Sequence, residues 1–92
     1  MKVVYTRAAL DDLNGIADYL MPRNPGGAAN VEADIRAAVG RLGDHPLSGR
    51  AQDEPGVRMA VSPGYRYKIQ YRVDDAAGTV QVLSILHPAQ RG

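Results

Sequence analysis

Hydrophobic positions change period twice along this chain. "KVVY" (Lys2–Tyr5) is a short β-branched and aromatic run and predicts a strand. Apolar residues then recur at Leu10, Leu13, Ile16, Ala17 and Leu20, the spacing of one helix face, with Asp11, Asn14 and Asp18 opposite. Thr6 stands where an N-cap is needed, because its hydroxyl can accept from an orphan N–H of the first turn. "PRNPGG" (Pro22–Gly27) stops this helix. A second helix is predicted from Ala28 to Leu42, with Val31, Ile35, Ala38 and Leu42 on one face. Glu32 and Arg36 form an i,i+4 pair in the favourable order, and Gly43 marks the end. The short link between the two implies an antiparallel helical hairpin.

Periodicity disappears from Gly43 to Gly56, a long loop of the kind that often carries function. It returns with period two in three predicted strands, Val57–Val61, Tyr65–Val73 and Val80–Leu86, joined by links short enough for an antiparallel meander. In the middle strand Tyr65, Tyr67, Ile69, Tyr71 and Val73 alternate with Arg66, Lys68, Gln70 and Arg72, so one face is core and the other basic. Two registers compete for the preceding strand. A two-residue Pro63-Gly64 loop mixes apolar and basic residues on both faces. A loop of odd length pairs Met59 with Ile69 and Val61 with Tyr67, and burial favours it. That register sets Arg58 on the basic face beside Lys68. The last strand is apolar on both faces and reads as central; pairing Tyr71 with Val82 would carry His87 to the basic face near Arg66.

The fold class is α+β: a short N-terminal strand and a helical hairpin packed on one face of a small antiparallel sheet, in the order β-α-α-β-β-β. The 92 residues make a single domain, 1–92. The absence of cysteine excludes disulfides and thiolate sites, and two histidines in separate segments speak against a metal centre. No cofactor or small-molecule substrate is expected. Net charge is only +1, yet four cations and no acid lie between Val57 and Val73, while Asp11 to Asp44 holds six acids. No apolar run is long enough to span a membrane and no export signal is apparent, so a cytoplasmic location is expected.

In order and spacing, "TRAALDDLNGIADYL", "HPLSGR", "GVRMAV", "YRYKIQYRV" and "VQVLSILHPAQR" resemble the ParE/RelE toxins of type II toxin–antitoxin systems, over nearly the whole chain. The resemblance implies a cognate, ParD-like antitoxin that holds the protein inactive. It implies one of two targets: DNA gyrase, poisoned by ParE-type members, or ribosome-bound mRNA, cut without metal by RelE-type members. RNA cleavage needs a base, an acid and cations for the developing phosphorane charge. Arg58, Lys68, His87 and Arg91 are the residues to which such roles map. For target binding the set is Arg58, Arg66, Lys68, His87 and Arg91. No tyrosine follows Tyr71, and Arg50 is the one cation in "HPLSGRAQDEPG". Both features, with the "H-x-x-x-R" ending, place the chain nearer ParE. Plainer readings stand beside these: the stripe as a solvated sheet face, His45 as a structural residue at a helix exit, the sheet tyrosines as core, and Asp11, Asp12 and Asp18 as helix surface.

Overall fold

The computed structural model describes residues 1–90. Two helices, α1 (Arg7–Leu20) and α2 (Pro25–Asp44), pack on one face of a five-stranded sheet. The strands are β1 (Lys2–Tyr5), β2 (Arg50–Ala51), β3 (Val57–Val61), β4 (Lys68–Asp74) and β5 (Thr79–Leu86), in spatial order β1-β5-β4-β3-β2. All neighbours are antiparallel except β1 and β5, which run parallel. Among the described residues no helix is long and apolar enough to cross a membrane.

Thr6 caps α1, its hydroxyl accepting from Ala9 N–H at 3.2 Å. The buried stripe of α1 runs through Ala9 and Leu13 to the half-buried Ile16 and Leu20, so Leu10, expected inside, is 41% exposed. The second helix begins three residues before the predicted start. Asn24 caps it by accepting from Gly27 N–H, and Pro25 occupies the first turn, where its missing N–H costs nothing. Gly43 does not end this helix; Asp44 does, with His45 as C-cap. The core joins Leu13, Val31, Ile35 and Leu42 of the helices to Ile69, Tyr71, Val80, Val82 and Ile85 of the sheet.

The β3–β4 register differs from the expected one by a residue. Arg58 pairs with Tyr71, Ala60 with Ile69 and Val61 with Lys68. The loop has four residues, Pro63 to Arg66, closed by Ser62 N–H to Tyr67 O and by Arg66 N–H to Ser62 O, both 2.9 Å. Four-residue hairpin loops built around a helical turn are common, and this one ends with Arg66 in the left-handed region at φ 64°. It is held from outside by Asp34 of α2, whose carboxylate accepts from Gly64 N–H and Tyr65 N–H at 3.0 and 2.8 Å. The shift puts Arg58 on the helix-side face and leaves Lys68 and Arg72 on the open one. The basic stripe is therefore split. An arginine fits on the helix side because α2 has already ended there. The loop after it offers carbonyls instead of apolar groups, and Arg58 Nη1 donates to Gly49 O at 2.9 Å and Leu47 O at 3.3 Å.

Tyr71 does pair with Val82, as expected, but the register then slips: Gln70 pairs with Ser84, leaving Leu83 as a bulged extra residue. Beyond the bulge the parity of β5 reverses, so Ile85 is buried although Val80 and Val82 are the buried residues before it. Both faces of this strand look apolar in sequence because the strand changes face. Since pairing is in step on both sides of Leu83, deleting Leu83 is expected to preserve cooperative thermal unfolding. Deleting Gln81, inside the regular ladder, would turn half the strand inside out and abolish it. Melting curves of the two deletions followed by circular dichroism compare them directly.

Candidate functional site

β1 stops opposite Val82, so the β1 side of Leu83–Leu86 lacks a strand partner. Helix α1 covers it instead. Thr6 Oγ1 donates to Val82 O at 2.8 Å, and Asp12 Oδ2 accepts from Ile85 N–H at 2.9 Å. Asp12 thus serves the sheet edge and is not merely helix surface; an acid one turn into an N-capped helix beside an unfinished strand is the signal that points to it. A groove of about 460 Å³ opens beside this seam, with Ile16, Leu20, Tyr67 and Ile85 on its floor and Asp11, Asp12 and His87 at its edges. A second groove of about 280 Å³ continues past Leu20 and Tyr67 to Val31, Tyr65 and Pro88.

His87 lies on the groove side, not on the basic face near Arg66. The bulge at Leu83 adds one to the pairing, which carries the imidazole to the face of Tyr67. The two rings meet edge to face with centroids 5.6 Å apart. His87 Nδ1 accepts from Ala89 N–H at 3.1 Å, so the neutral ring carries its proton on Nε2. His87 N–H donates to Gln90 Oε1, and Gln90 O accepts from Lys68 Nζ, which ties the end of the described chain to the open face of β4. Burial pushes the Tyr67 phenol above its ordinary pKa, so it stays protonated at neutral pH and can donate but not act as a base.

The sequence-predicted site residues therefore scatter. Arg58 faces the loop after α2, Lys68 the open side of the sheet, His87 the groove and Arg66 the tip of the β3–β4 turn. Arg91 lies outside the described residues. Arg72 keeps the open face but is engaged by Glu54 Oε1 and Pro55 O, both at 3.3 Å. Tyr65, expected in the core with Tyr67 and Tyr71, is 43% exposed because the four-residue loop claims it. Among the described residues no group of three or more His, Asp or Glu side chains is placed to hold a metal.

The model of the ParE toxin of type II toxin–antitoxin systems (parDE) matches residues 3–92. The chain belongs to the ParE toxin family. It is 33% identical over 89 residues to Toxin RelE2 of Caulobacter vibrioides, covering 97% of each chain. It is 32% identical over 90 residues to the protein Y4kP of Sinorhizobium fredii, covering 98% of this chain and 91% of that one. Among solved structures it is similar to a chain of the chromosomal ParDE TA system from P. aeruginosa, with a TM-score of 0.81, 28% identity and 95% of both chains covered. The sheet has one open face, and the grooves lie on its helical side.

Proposed function

We propose that this ParE-family toxin inhibits DNA gyrase by binding it, acts in the cytoplasm, and is held inactive by a cognate, ParD-like antitoxin. The observation that carries the reading is the scatter of the candidate catalytic groups. Metal-free RNA cleavage needs a base, an acid and phosphate-binding cations converging on one reacting centre. Here the Arg58 guanidinium is spent on two loop carbonyls, on the face opposite Lys68. His87 shares its groove with Asp11 and Asp12, whose charge would repel a phosphate. An amphipathic antitoxin segment that folds on binding would find its apolar counterpart in the floor of that groove.

Supercoiling by purified gyrase, titrated with this toxin, tests the reading. Loss of supercoiling at stoichiometric toxin is expected, and unchanged supercoiling at large excess refutes it. The second reading, a ribosome-dependent mRNA endonuclease, is favoured by the name of the Caulobacter relative. It requires codon-positioned cuts in transcripts after induction; intact transcripts are the expected result.

A further inference from the structure

The β3–β4 turn is built more rigidly, and with a less accommodating residue, than a simple connection requires. Arg66 sits at φ 64°, where glycine would be accepted without steric cost and an arginine is not. The turn is held from two sides. Asp34 holds the N–H groups of Gly64 and Tyr65, and the fully buried Ser62 accepts from Tyr67 N–H through Oγ at 2.9 Å. Its tip exposes two side chains, Tyr65 at the end of the second groove and Arg66 beside it. Tyr65 is exposed while the other two tyrosines of this segment are buried. Arg66 is exposed, and among the described residues its guanidinium has no polar partner, whereas Arg58, Lys68 and Arg72 are all engaged. Backbone strain held in place by its surroundings is characteristic of functional positions. Tyrosine and arginine are also the side chains that dominate binding hot spots, and a preorganised turn lowers the cost of ordering them.

We infer that Tyr65 and Arg66 form a two-residue anchor by which the toxin grips an acidic pocket on its protein target, Arg66 pairing with a carboxylate and Tyr65 packing against the pocket wall. A nucleic-acid backbone is the poorer fit, because phosphates are gripped by several free cations together and this turn offers one. The inference rests on the toxin reading and on a protein target, but it does not require that protein to be gyrase.

The test compares wild type with Arg66→Gly, Arg66→Asn and Tyr65→Ser for growth arrest at matched expression, with thermal melting of the purified proteins. Glycine and asparagine tolerate the left-handed conformation, so both Arg66 variants should melt no lower than wild type. They should need at least about tenfold more protein for half-maximal arrest, the scale of an arginine hot spot. Tyr65→Ser should weaken arrest in the same direction. Variants that arrest growth at the wild-type dose overturn the inference while leaving the toxin reading intact. Weaker arrest accompanied by a lower melting temperature also overturns it, since the turn would then be structural. Duplex DNA or RNA binding by wild type that Arg66→Gly abolishes overturns the protein target. Wild type that arrests nothing removes the toxin reading and this inference together.

Discussion

Replacing Gly49 by alanine is expected to cost about 3 kcal/mol of folding stability. Gly49 is buried at the end of the loop that follows α2, against the ring of Tyr71, which is fully buried. A Cβ at Gly49 would lie 2.5 Å from the Tyr71 hydroxyl oxygen, 2.6 Å from Cε1 and 2.9 Å from Cζ. Those atoms cannot retreat, because the ring is wedged in the core among Ile69, Val82 and their neighbours. The loop must move instead, and it moves away from everything that fixes it. Gly49 N–H donates to Tyr71 Oη at 2.8 Å, Tyr71 Oη donates to Pro46 O at 2.8 Å, and Arg58 donates to Gly49 O at 2.9 Å. Overpacking at such a site costs about 1–3 kcal/mol, and a buried hydroxyl short of a partner a similar amount. Tyr71→Phe, which strips the same hydrogen bonds without the clash, should cost about 1–2 kcal/mol. Part of the alanine's penalty is steric contact with the hydroxyl that phenylalanine lacks. The two losses should therefore fall short of additivity by about 1 kcal/mol in the double variant. Urea denaturation of the four proteins measures the cycle; a Gly49→Ala midpoint equal to wild type would mean the loop is not held as described. Since β2 begins at Arg50, its seat on β3 depends on the same anchor.

The helices were legible because their apolar residues repeat with one period that a single packing face explains; Val31, Ile35, Ala38 and Leu42 are all buried as that period demands. The family was legible for a similar reason, since it resides in the order of several local segments. The sheet registers were legible only in part: Tyr71 pairs with Val82 as expected, but the β3–β4 register and the far half of β5 do not follow the pattern, and each departure has a distant cause. The four-residue turn is stabilised by Asp34, 30 residues before Gly64, a contact that no local pattern announces. The place of Arg58 on the helix side depends on carbonyls of Leu47 and Gly49, which only the fold brings to it. The bulge at Leu83 did leave a trace, because "VLSIL" is apolar at both parities. That trace fits a doubly covered strand as well as one that changes face, and the choice between them depends on where β1 ends. β2 was hidden inside an irregular loop because two residues carry no period. The candidate site suffered most: its residues were grouped by sequence alternation, and two small shifts of register sent them to different surfaces.

Asp34→Ala is expected to cost about 1–2 kcal/mol at neutral pH, and that cost should vanish in acid. The carboxylate accepts from Gly64 N–H and Tyr65 N–H, and the nearby Ser62 hydroxyl and Arg41 also favour its charged form. Burial acts against the ionised form here, but it is outweighed by the Ser62 hydroxyl, the two backbone donors and Arg41, and the net effect lowers the pKa of Asp34. With the folded value below the unfolded one, the unfolded chain takes up its proton first as pH falls. The stabilisation is therefore complete above the ordinary aspartate range, near about 3.9, and is lost as pH drops through the depressed folded value. The hydrogen bonds are solvent-exposed, which keeps the figure at the low end for charged acceptors. Unfolding free energies of wild type and Asp34→Ala should run parallel between pH 7 and pH 5, each point from a urea titration, then converge below about pH 4. Parallel lines down to the acid limit would show that the carboxylate's charge contributes nothing. Gly64→Ala should act in the same direction but more weakly, because its Cβ would meet the Asp34 carboxylate at 2.9–3.3 Å and that side chain can swing aside. In both variants the loosened turn would let Arg66 leave φ 64°, which places the direction of the exposed Tyr65–Arg66 tip under the control of one helix carboxylate.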